Sequence, residues 1–441
     1  MKFESRRPRL HFTPETGWIN DPNGLCYDGE KYHLFAQYYE ETQWGPMHWC
    51  HAVSEDLVNW EHLPVALAPD SLGMIFSGSA VCQKTEDGKT SIAAIYTSHG
   101  EHEQQSLAFS CDGINFQKHQ GNPVIKNCDK PDFRDPKVFW NPIRDCWGLV
   151  LAAGDHVEFF ASSDLKDWEK TGEFGPGGNY SKGVWECPDI FPLSIDGRQI
   201  WVLLVSMGAN RDNFGSRTQY FTGSFDGDKF ISDSRFTAPE FIDEGFDNYA
   251  AVSFYGAGER IIMGWASNWD YAGKLPTEEY RGQMTLARTL RLENTETGGL
   301  RLACAPVIGG AFSEYRPCDG KLSGDVFKLR ARGAGECRIV LENGAKEQLC
   351  FGVDSENRVF LDRSRAGESD FDETFSAYSR SAAERFSDGP WEMELVMDRT
   401  VCELFADQGL RAFTDLVFPS EPYDRVRIEG EASLEIGDLA E

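Results

Sequence analysis

The sequence predicts an all-β fold, a five-bladed β-propeller followed by a β-sandwich, and three observations carry that prediction. Amphipathic helical periodicity is almost absent, while short aromatic and β-branched runs broken by Asp-Gly, Asn-Gly and Gly-x-Gly recur along the chain. One pattern recurs five times: a polar or acidic motif, an apolar strand, a tight turn and a second apolar strand. From about residue 301 that pattern gives way to alternating strands joined by polar turns, the signature of a sandwich.

The five copies run from Asp21 to Gln37, Ser77 to Ser98, Asp135 to Gly154, Cys187 to Met207 and Asp247 to Ser267. Their turns fall at Asp28-Gly29, Asp87-Gly88, Ile143-Arg144-Asp145, Asp196-Gly197 and Gly256-Ala257-Gly258. With Asp21, Ser77, Asp135, Asp189 and Asp247 as markers, the steps are 56, 58, 54 and 58 residues, which implies one structural unit per copy. A second motif interleaves with the first, at Ser54 to Trp60, Ser110 to Phe116, Ser162 to Trp168 and Ser224 to Phe230. Each instance follows an apolar strand and reads as a turn into an outer strand. Five units of three or four strands make a propeller, in which radial repetition leaves only short, protected sheet edges.

The polar stretch Glu-Asn-Thr-Glu-Thr-Gly-Gly, 293 to 299, breaks the repeat and is the expected boundary, giving a propeller over residues 1–295 and a sandwich over 301–441. The sandwich strands are expected at Cys337 to Leu341, Gln348 to Val353, Val359 to Asp362, Glu392 to Asp398, Val401 to Ala406 and Arg425 to Gly430, with one short helix near Ser381 to Phe386.

A chain of 441 residues exceeds what one core usually serves, in keeping with two domains. Its 43 basic and 71 acidic residues give a formal charge of -28, which argues against nucleic acid or anionic membrane as a partner. No apolar run approaches the ~18 residues of a membrane span, and the charged first residues lack an apolar segment behind them, so a cytoplasmic location is expected. The 12 cysteines show no Cys-x-x-Cys pair or Cys/His cluster; most, such as Cys26, Cys82, Cys146, Cys350 and Cys402, are expected as buried thiols. No metal and no cofactor is expected, and the sequence leaves the oligomeric state open.

Three carboxylates stand at the starts of repeat strands: Asp21 in Trp-Ile-Asn-Asp-Pro-Asn-Gly, Asp135 in Phe-Arg-Asp-Pro and Glu186 in Trp-Glu-Cys-Pro-Asp. The inner strand of each blade lines the channel, so residues far apart in sequence are expected to meet at one rim. Such a set suits glycoside hydrolysis, in which one acid is protonated while another is ionised. Glu186, between Trp185, Cys187 and Pro188, has an apolar setting that would raise its pKa and suit it as the acid. Asp135 follows Arg134, whose charge would keep it ionised, and Asp21, beside Asn20 and Asn23, suits an ionised nucleophile. Gln37, Trp44, Phe76 with Ser77, and Trp265 with Trp269 are of the kind that hold a sugar, aromatic faces against its carbons and polar groups against its hydroxyls.

Other chemistries fail. Gly175-Pro176-Gly177-Gly178 lacks a following Gly-Lys-Ser/Thr and is no phosphate cradle. His48 and His51 alternate along a strand and read as packing residues, and no Gly-x-Ser-x-Gly elbow is present.

The blocks Trp-Ile-Asn-Asp-Pro-Asn-Gly (18 to 24), Phe-Ser-Gly-Ser-Ala (76 to 80), Phe-Arg-Asp-Pro-Lys (133 to 137), Trp-Glu-Cys-Pro-Asp (185 to 189) and Gly-Trp-Ala-Ser-Asn-Trp-Asp-Tyr (264 to 271) resemble, in order and spacing, the signatures of glycoside hydrolase family 32. That is the family of invertases, levanases, inulinases and sucrose-6-phosphate hydrolases. Leu361-Asp362-Arg363-Ser364, Cys402-Glu403-Leu404-Phe405 and Phe418-Pro419 resemble its C-terminal sandwich. The resemblance implies a five-bladed propeller and retaining hydrolysis of a β-fructofuranosyl bond. By motif it makes Asp21 the nucleophile, Glu186 the general acid/base, and Asp135 with Arg134 the pair that stabilises the transition state. It places Asn20, Gln37, Trp44, Phe76 and Ser77 around the fructose, and Asp243 near the leaving sugar, in a block that carries Asn248 where the family usually has Phe. The 264 to 271 block, with Leu275-Pro276-Thr277 and Tyr280-Arg281-Gly282, looks more like exo-acting β-fructosidases than sucrose-6-phosphate hydrolases. The expected substrates are therefore sucrose and short fructo-oligosaccharides or fructans, with sucrose 6-phosphate as the alternative. A catalytically silent fructan-binding protein is the alternative of another class; loss of a carboxylate would mark it, and all three are present.

Overall fold

A computed structural model describes residues 6–84, 90–127, 129–176, 183–233, 239–296 and 299–440. Five antiparallel sheets follow one another along the chain and form the propeller. Blade I is built from Gly17–Tyr27, Tyr32–Tyr39, His48–Ser54 and Glu61–Leu67; blade II from Met74–Lys84, Thr90–His99, Glu103–Ser110 and Gln117–Lys118. Blade III is Phe133–Asn141, Cys146–Ala153, Val157–Ser162 and Glu169–Phe174; blade IV is Trp185–Ile195, Arg198–Asn210, Gly215–Phe225 and Phe230–Ser232. Blade V is Tyr249–Ser253, Ile261–Trp265, Arg288–Asn294 and Leu300–Pro306.

The interleaved motif is a turn held by one aspartate. Asp56 Oδ1 accepts from the amides of Val58 and Asn59 at 2.9 and 2.7 Å, and Asp112, Asp164 and Asp226 do the same for the residues two and three places on. A short side chain that caps its own turn explains why the same residues recur between third and fourth strands. The ring is closed by Tyr280–Arg281, which leaves blade V to pair in parallel with Gly17 and Trp18 of blade I. Gly282 permits this close approach: at φ +92°, an added Cβ would lie 2.1 Å from the Ile19 carbonyl oxygen.

Three expectations need correction. The polar stretch taken as the boundary is the hairpin connection of blade V, since Leu300–Pro306 pairs along its whole length with Arg288–Asn294. Its polarity reflects an exposed loop between paired strands. Of that stretch residues 297 and 298 lie outside the described residues, as do the turn at Asp87-Gly88 and the glycines 177 and 178. Near residue 381 the chain forms an edge strand, Arg380–Glu384, in which Ser381 and Ala383 are buried and their neighbours exposed. A period of two prevails there over the helix propensity of Ala382 and Ala383. Among the described residues the one short α-helix is Glu373–Ala377, capped by Asp372, whose carboxylate accepts from the amides of Thr374 and Phe375. Of the cysteines named as buried, Cys26, Cys350 and Cys402 are; Cys82 and Cys146 are half-buried.

The sandwich is one sheet folded on itself. Val326–Glu342 and Arg425–Asp438 pair along nearly their full length, interrupted between Gly333 and Cys337. On one side of that break Val326–Glu342 pairs with Trp391–Asp398, on the other with Gln348–Val353. Leu329, Leu395 and Leu404 from one layer pack with Ile339, Phe351 and Leu361 from the other in a single core.

A buried ionic layer joins the two domains. Arg288 on blade V donates to Asp243 Oδ2 at 2.7 Å and to Glu403 Oε2 at 2.8 Å, and Arg363 of the sandwich donates to Asp247 Oδ2 at 2.6 Å. Asp398 of the sandwich accepts from three successive backbone amides, Arg9, Leu10 and His11, at 2.8, 2.8 and 3.0 Å. His11 also places Nδ1 2.8 Å from Asp398 and Nε2 3.2 Å from Glu403.

Removing Arg288 leaves Asp243 buried without a cation and Glu403 with His11 alone. The variant Arg288→Met is therefore expected to lose about 3–5 kcal/mol in urea denaturation. Burial opposes a charge on His11, but Asp398 and Glu403 outweigh it and push its pKa up to about 9, against 6.5 unfolded. The resulting stabilisation is complete below pH 6.5 and is lost as pH rises through 9. Stability measured across that window should fall in the native protein and stay flatter in His11→Gln.

Candidate active site

Each inner strand carries the same irregularity. In blade I, Ile19 and Pro22 stand opposite Tyr38 and Ala36, so three steps on the inner strand face two on its neighbour. The same insertion lies between Ile75 and Gly78, Arg134 and Lys137, Glu186 and Asp189, and Tyr249 and Val252. These are β-bulges, and they set which side chains reach the channel. A regular strand sends neighbours to opposite faces. Here Asn20 with Asp21, Phe76 with Ser77, and Arg134 with Asp135 are adjacent pairs that all line one cavity of about 510 Å³. Asp135 at φ +65° and Cys187 at φ +44° occupy the left-handed region that the bulges demand.

The three carboxylates meet in this cavity. Ser77 Oγ donates to Asp21 Oδ2 at 2.7 Å, while Asp21 Oδ1 is buried with no hydrogen-bond partner among the described residues. The amide of Cys187 donates to Asp135 Oδ2 at 2.9 Å, and its thiol lies 3.5 Å from both Asp135 Oδ2 and Asp21 Oδ2. Glu186 receives Arg134 Nη2 on Oε1 at 2.9 Å and the Tyr249 hydroxyl on Oε2. The dipeptide Glu186-Cys187 thus ties all three acids together.

Burial raises the pKa of Glu186, and Asp21 adds to this, against the pull of Arg134 and Tyr249. The direction is as expected from sequence, but the groups that touch the carboxylate are polar. Asp135 departs from expectation. Burial, with the charges of Glu186 and Asp21, overcomes the Arg134 charge and pushes Asp135 up to about 8. The Arg134 guanidinium hydrogen-bonds to Glu186, Asp132 and Glu103, and its influence on Asp135 is through space.

Gln37, Trp44 and Trp269 complete the expected lining. Gln37 is buried with Nε2 unpartnered among the described residues, whereas Trp44 is 47% exposed at the rim. Two expected residues lie elsewhere. Trp265 is fully buried behind the wall, packed against Trp18 and Trp269 at centroid distances of 6.1 and 4.8 Å. Asp243 belongs to the buried layer between the domains, held by Arg288, Asn248 and Thr414. The resemblance placed it near the leaving sugar; here both of its carboxylate oxygens are taken up by partners in the interface.

His99, Glu103, Pro131 and Asp132 line the cavity and were missed, as was the contact of Tyr249 with Glu186. The repeat register could have found Tyr249, which opens the inner strand of blade V as Trp185 opens that of blade IV. His99 and Glu103 flank the hairpin after Ser98, at the same end of blade II as Ser77.

Comparison with known proteins identifies the family of the chain. The family model described as "Glycosyl hydrolases family 32 N-terminal domain" matches residues 11–304, and "Glycosyl hydrolases family 32 C terminal" matches residues 318–438. A levanase from Bacillus subtilis is 40% identical over 94% of this chain and 67% of its own. An extracellular exo-inulinase from Aspergillus awamori is 32% identical over 96% of this chain and 91% of its own. The crystal structure of exo-inulinase from Aspergillus awamori superposes with a TM-score of 0.90 at 30% identity, covering 100% of this chain and 99% of that one. A fructofuranosidase from Schwanniomyces occidentalis complexed with fructosylnystose gives 0.90 at 28% identity over 99% and 98%. With two family models matched in sequence order across both the propeller and the sandwich, the chain belongs to glycosyl hydrolase family 32.

Proposed function

We propose that this protein is a retaining β-fructofuranosidase that releases terminal fructose from sucrose and short fructo-oligosaccharides or fructans. The observation that carries the reading is the pairing of Asp21, anchored by Ser77 through one oxygen and unpartnered at the other among the described residues, with Glu186, a half-buried acid of raised pKa. The Asp21 carboxylate attacks the anomeric carbon of the fructosyl unit while Glu186 gives its proton to the departing oxygen. Glu186, now a carboxylate, then takes a proton from water as that water displaces Asp21, so configuration is retained. Asp135 and Arg134 grip the sugar hydroxyls. With its pKa near 8, Asp135 holds a proton at neutral pH and donates one hydrogen bond as well as accepting others.

The rim supports a neutral substrate. Arg134 is the one Lys or Arg among the lining residues described, and it is already shared among Glu103, Asp132 and Glu186. A sugar phosphate would meet two carboxylates there, which disfavours sucrose 6-phosphate. The relatives named levanase and exo-inulinase favour fructans alongside sucrose.

Fructose release from sucrose, 1-kestose, inulin, levan and sucrose 6-phosphate, ranked by kcat/KM, tests the reading. Unphosphorylated β-fructosides should lead, and binding of sucrose without fructose release would overturn it. Asp21→Asn and Glu186→Gln should each lower kcat by ~10²–10⁴ or more while thermal unfolding stays close to that of the native protein. Tyr249→Phe removes a hydrogen bond that favours ionised Glu186. Glu186 then holds its proton to higher pH, and the alkaline limb of the pH–rate profile should move upward.

A further inference from the structure

We propose that Glu103 and Asp132 are positioning residues for hydrolysis: they hold Nη1 of Arg134 and oppose its charge, so that Nη2 can orient Glu186 without drawing off its proton. The proposal rests on the reading of Glu186 as the general acid.

Arg134 Nη1 lies 3.2 Å from both oxygens of Glu103 and 2.8 Å from Asp132 Oδ1, while Nη2 lies 2.9 Å from Glu186 Oε1. One nitrogen therefore faces two anions and the other faces Glu186. Glu103 is itself fixed on two further sides. The amide of Phe133 donates to its Oε2 at 2.7 Å, and His99 Nδ1 lies 3.2 Å from Oε1. The His99 ring is stacked on Phe76 at 4.0 Å and 11°. Glu103 is 7% exposed, so its charge is poorly screened.

The arrangement answers a conflict in the chemistry. An opposite charge within ~4–6 Å lowers a carboxyl pKa by about 1–3 units, and a general acid that has already ionised gives no proton. An arginine facing Glu186 alone would orient it and disarm it together. Sharing the guanidinium among three carboxylates keeps the directional hydrogen bond and weakens the electrostatic pull. The other groups that face Glu186 are Tyr249, which favours its anion, and Asp21 and Asp135, which disfavour it. None of these touches Nη1.

The test is the pH dependence of kcat/KM for sucrose in the native protein, Glu103→Gln, Asp132→Asn and Glu186→Gln. Glu103→Gln keeps one acceptor oxygen for the Phe133 amide, exchanges the other for a donor NH2 and removes the charge, so Glu186 should ionise earlier. The alkaline limb should move to lower pH by roughly half a unit or more, with less change at low pH. Asp132 is half-buried at the rim, and Asp132→Asn should fold and move the limb the same way even if Glu103→Gln does not fold. Limbs that overlay the native profile, or move to higher pH, in folded variants would overturn the positioning role. Native-like turnover in Glu186→Gln would overturn the underlying assignment of the acid instead, and the proposal with it.

Discussion

A propeller channel lined by regular strands would receive only every second side chain of each, because neighbours on a strand point to opposite faces. The candidate active site depends on breaking that rule: all five inner strands break it at one level, and in blades I, II and III the break brings adjacent side chains to the cavity. Each inner strand gains one residue relative to its neighbour at Ile19–Pro22, Ile75–Gly78, Arg134–Lys137, Glu186–Asp189 and Tyr249–Val252. The extra residue turns adjacent side chains to the same cavity, and it puts Asp135 and Cys187 in left-handed backbone that they would not choose. Proline after Asp21, Asp135 and Cys187 costs nothing there, since a bulge leaves amides that the ladder does not use.

That geometry explains what could be read from the chain and what could not. The propeller was legible because its repeat is long and regular, and the carboxylates because each sits in a motif at the start of a copy. The fine register was not. The markers Asp189 and Asp247 keep an even step, but the bulges begin at Glu186 and Tyr249, where Asp189 is already past the irregularity and Asp247 lies in the domain interface. Contacts made between blades, such as Tyr249 to Glu186 or Glu103 to Arg134, leave no mark on local sequence. The same blindness put a boundary inside blade V, where the polarity of 293 to 299 was visible and the pairing of the strands it joins was not.

Two buried clusters of acids serve opposite ends with the same residue types. Between the domains, Arg288 and Arg363 bind Asp243, Glu403 and Asp247 directly, and burial is met by close ion pairs. In the cavity one guanidinium, Arg134, stands against Asp21, Asp135, Glu186 and the two rim acids, too few cations for the anions present. Burial then favours protons on Asp135 and Glu186. A shortage of positive charge that would be a defect in the interface leaves the cavity with carboxyls that hold their protons more firmly than usual.

The strap formed by Arg9, Leu10 and His11 has a bearing on how the molecule is made. Its three amides are captured by Asp398, as many as 389 residues further along the chain. At ~5–20 residues per second, the ribosome needs roughly 20 to 80 seconds to deliver that carboxylate after the strap has emerged. Ring closure is delayed too, because Tyr280–Arg281 pairs with Gly17 and Trp18. The strap thus finds its acceptor only once the sandwich has been made, and blade I finds its ring-closing partner only once Tyr280–Arg281 has been synthesised.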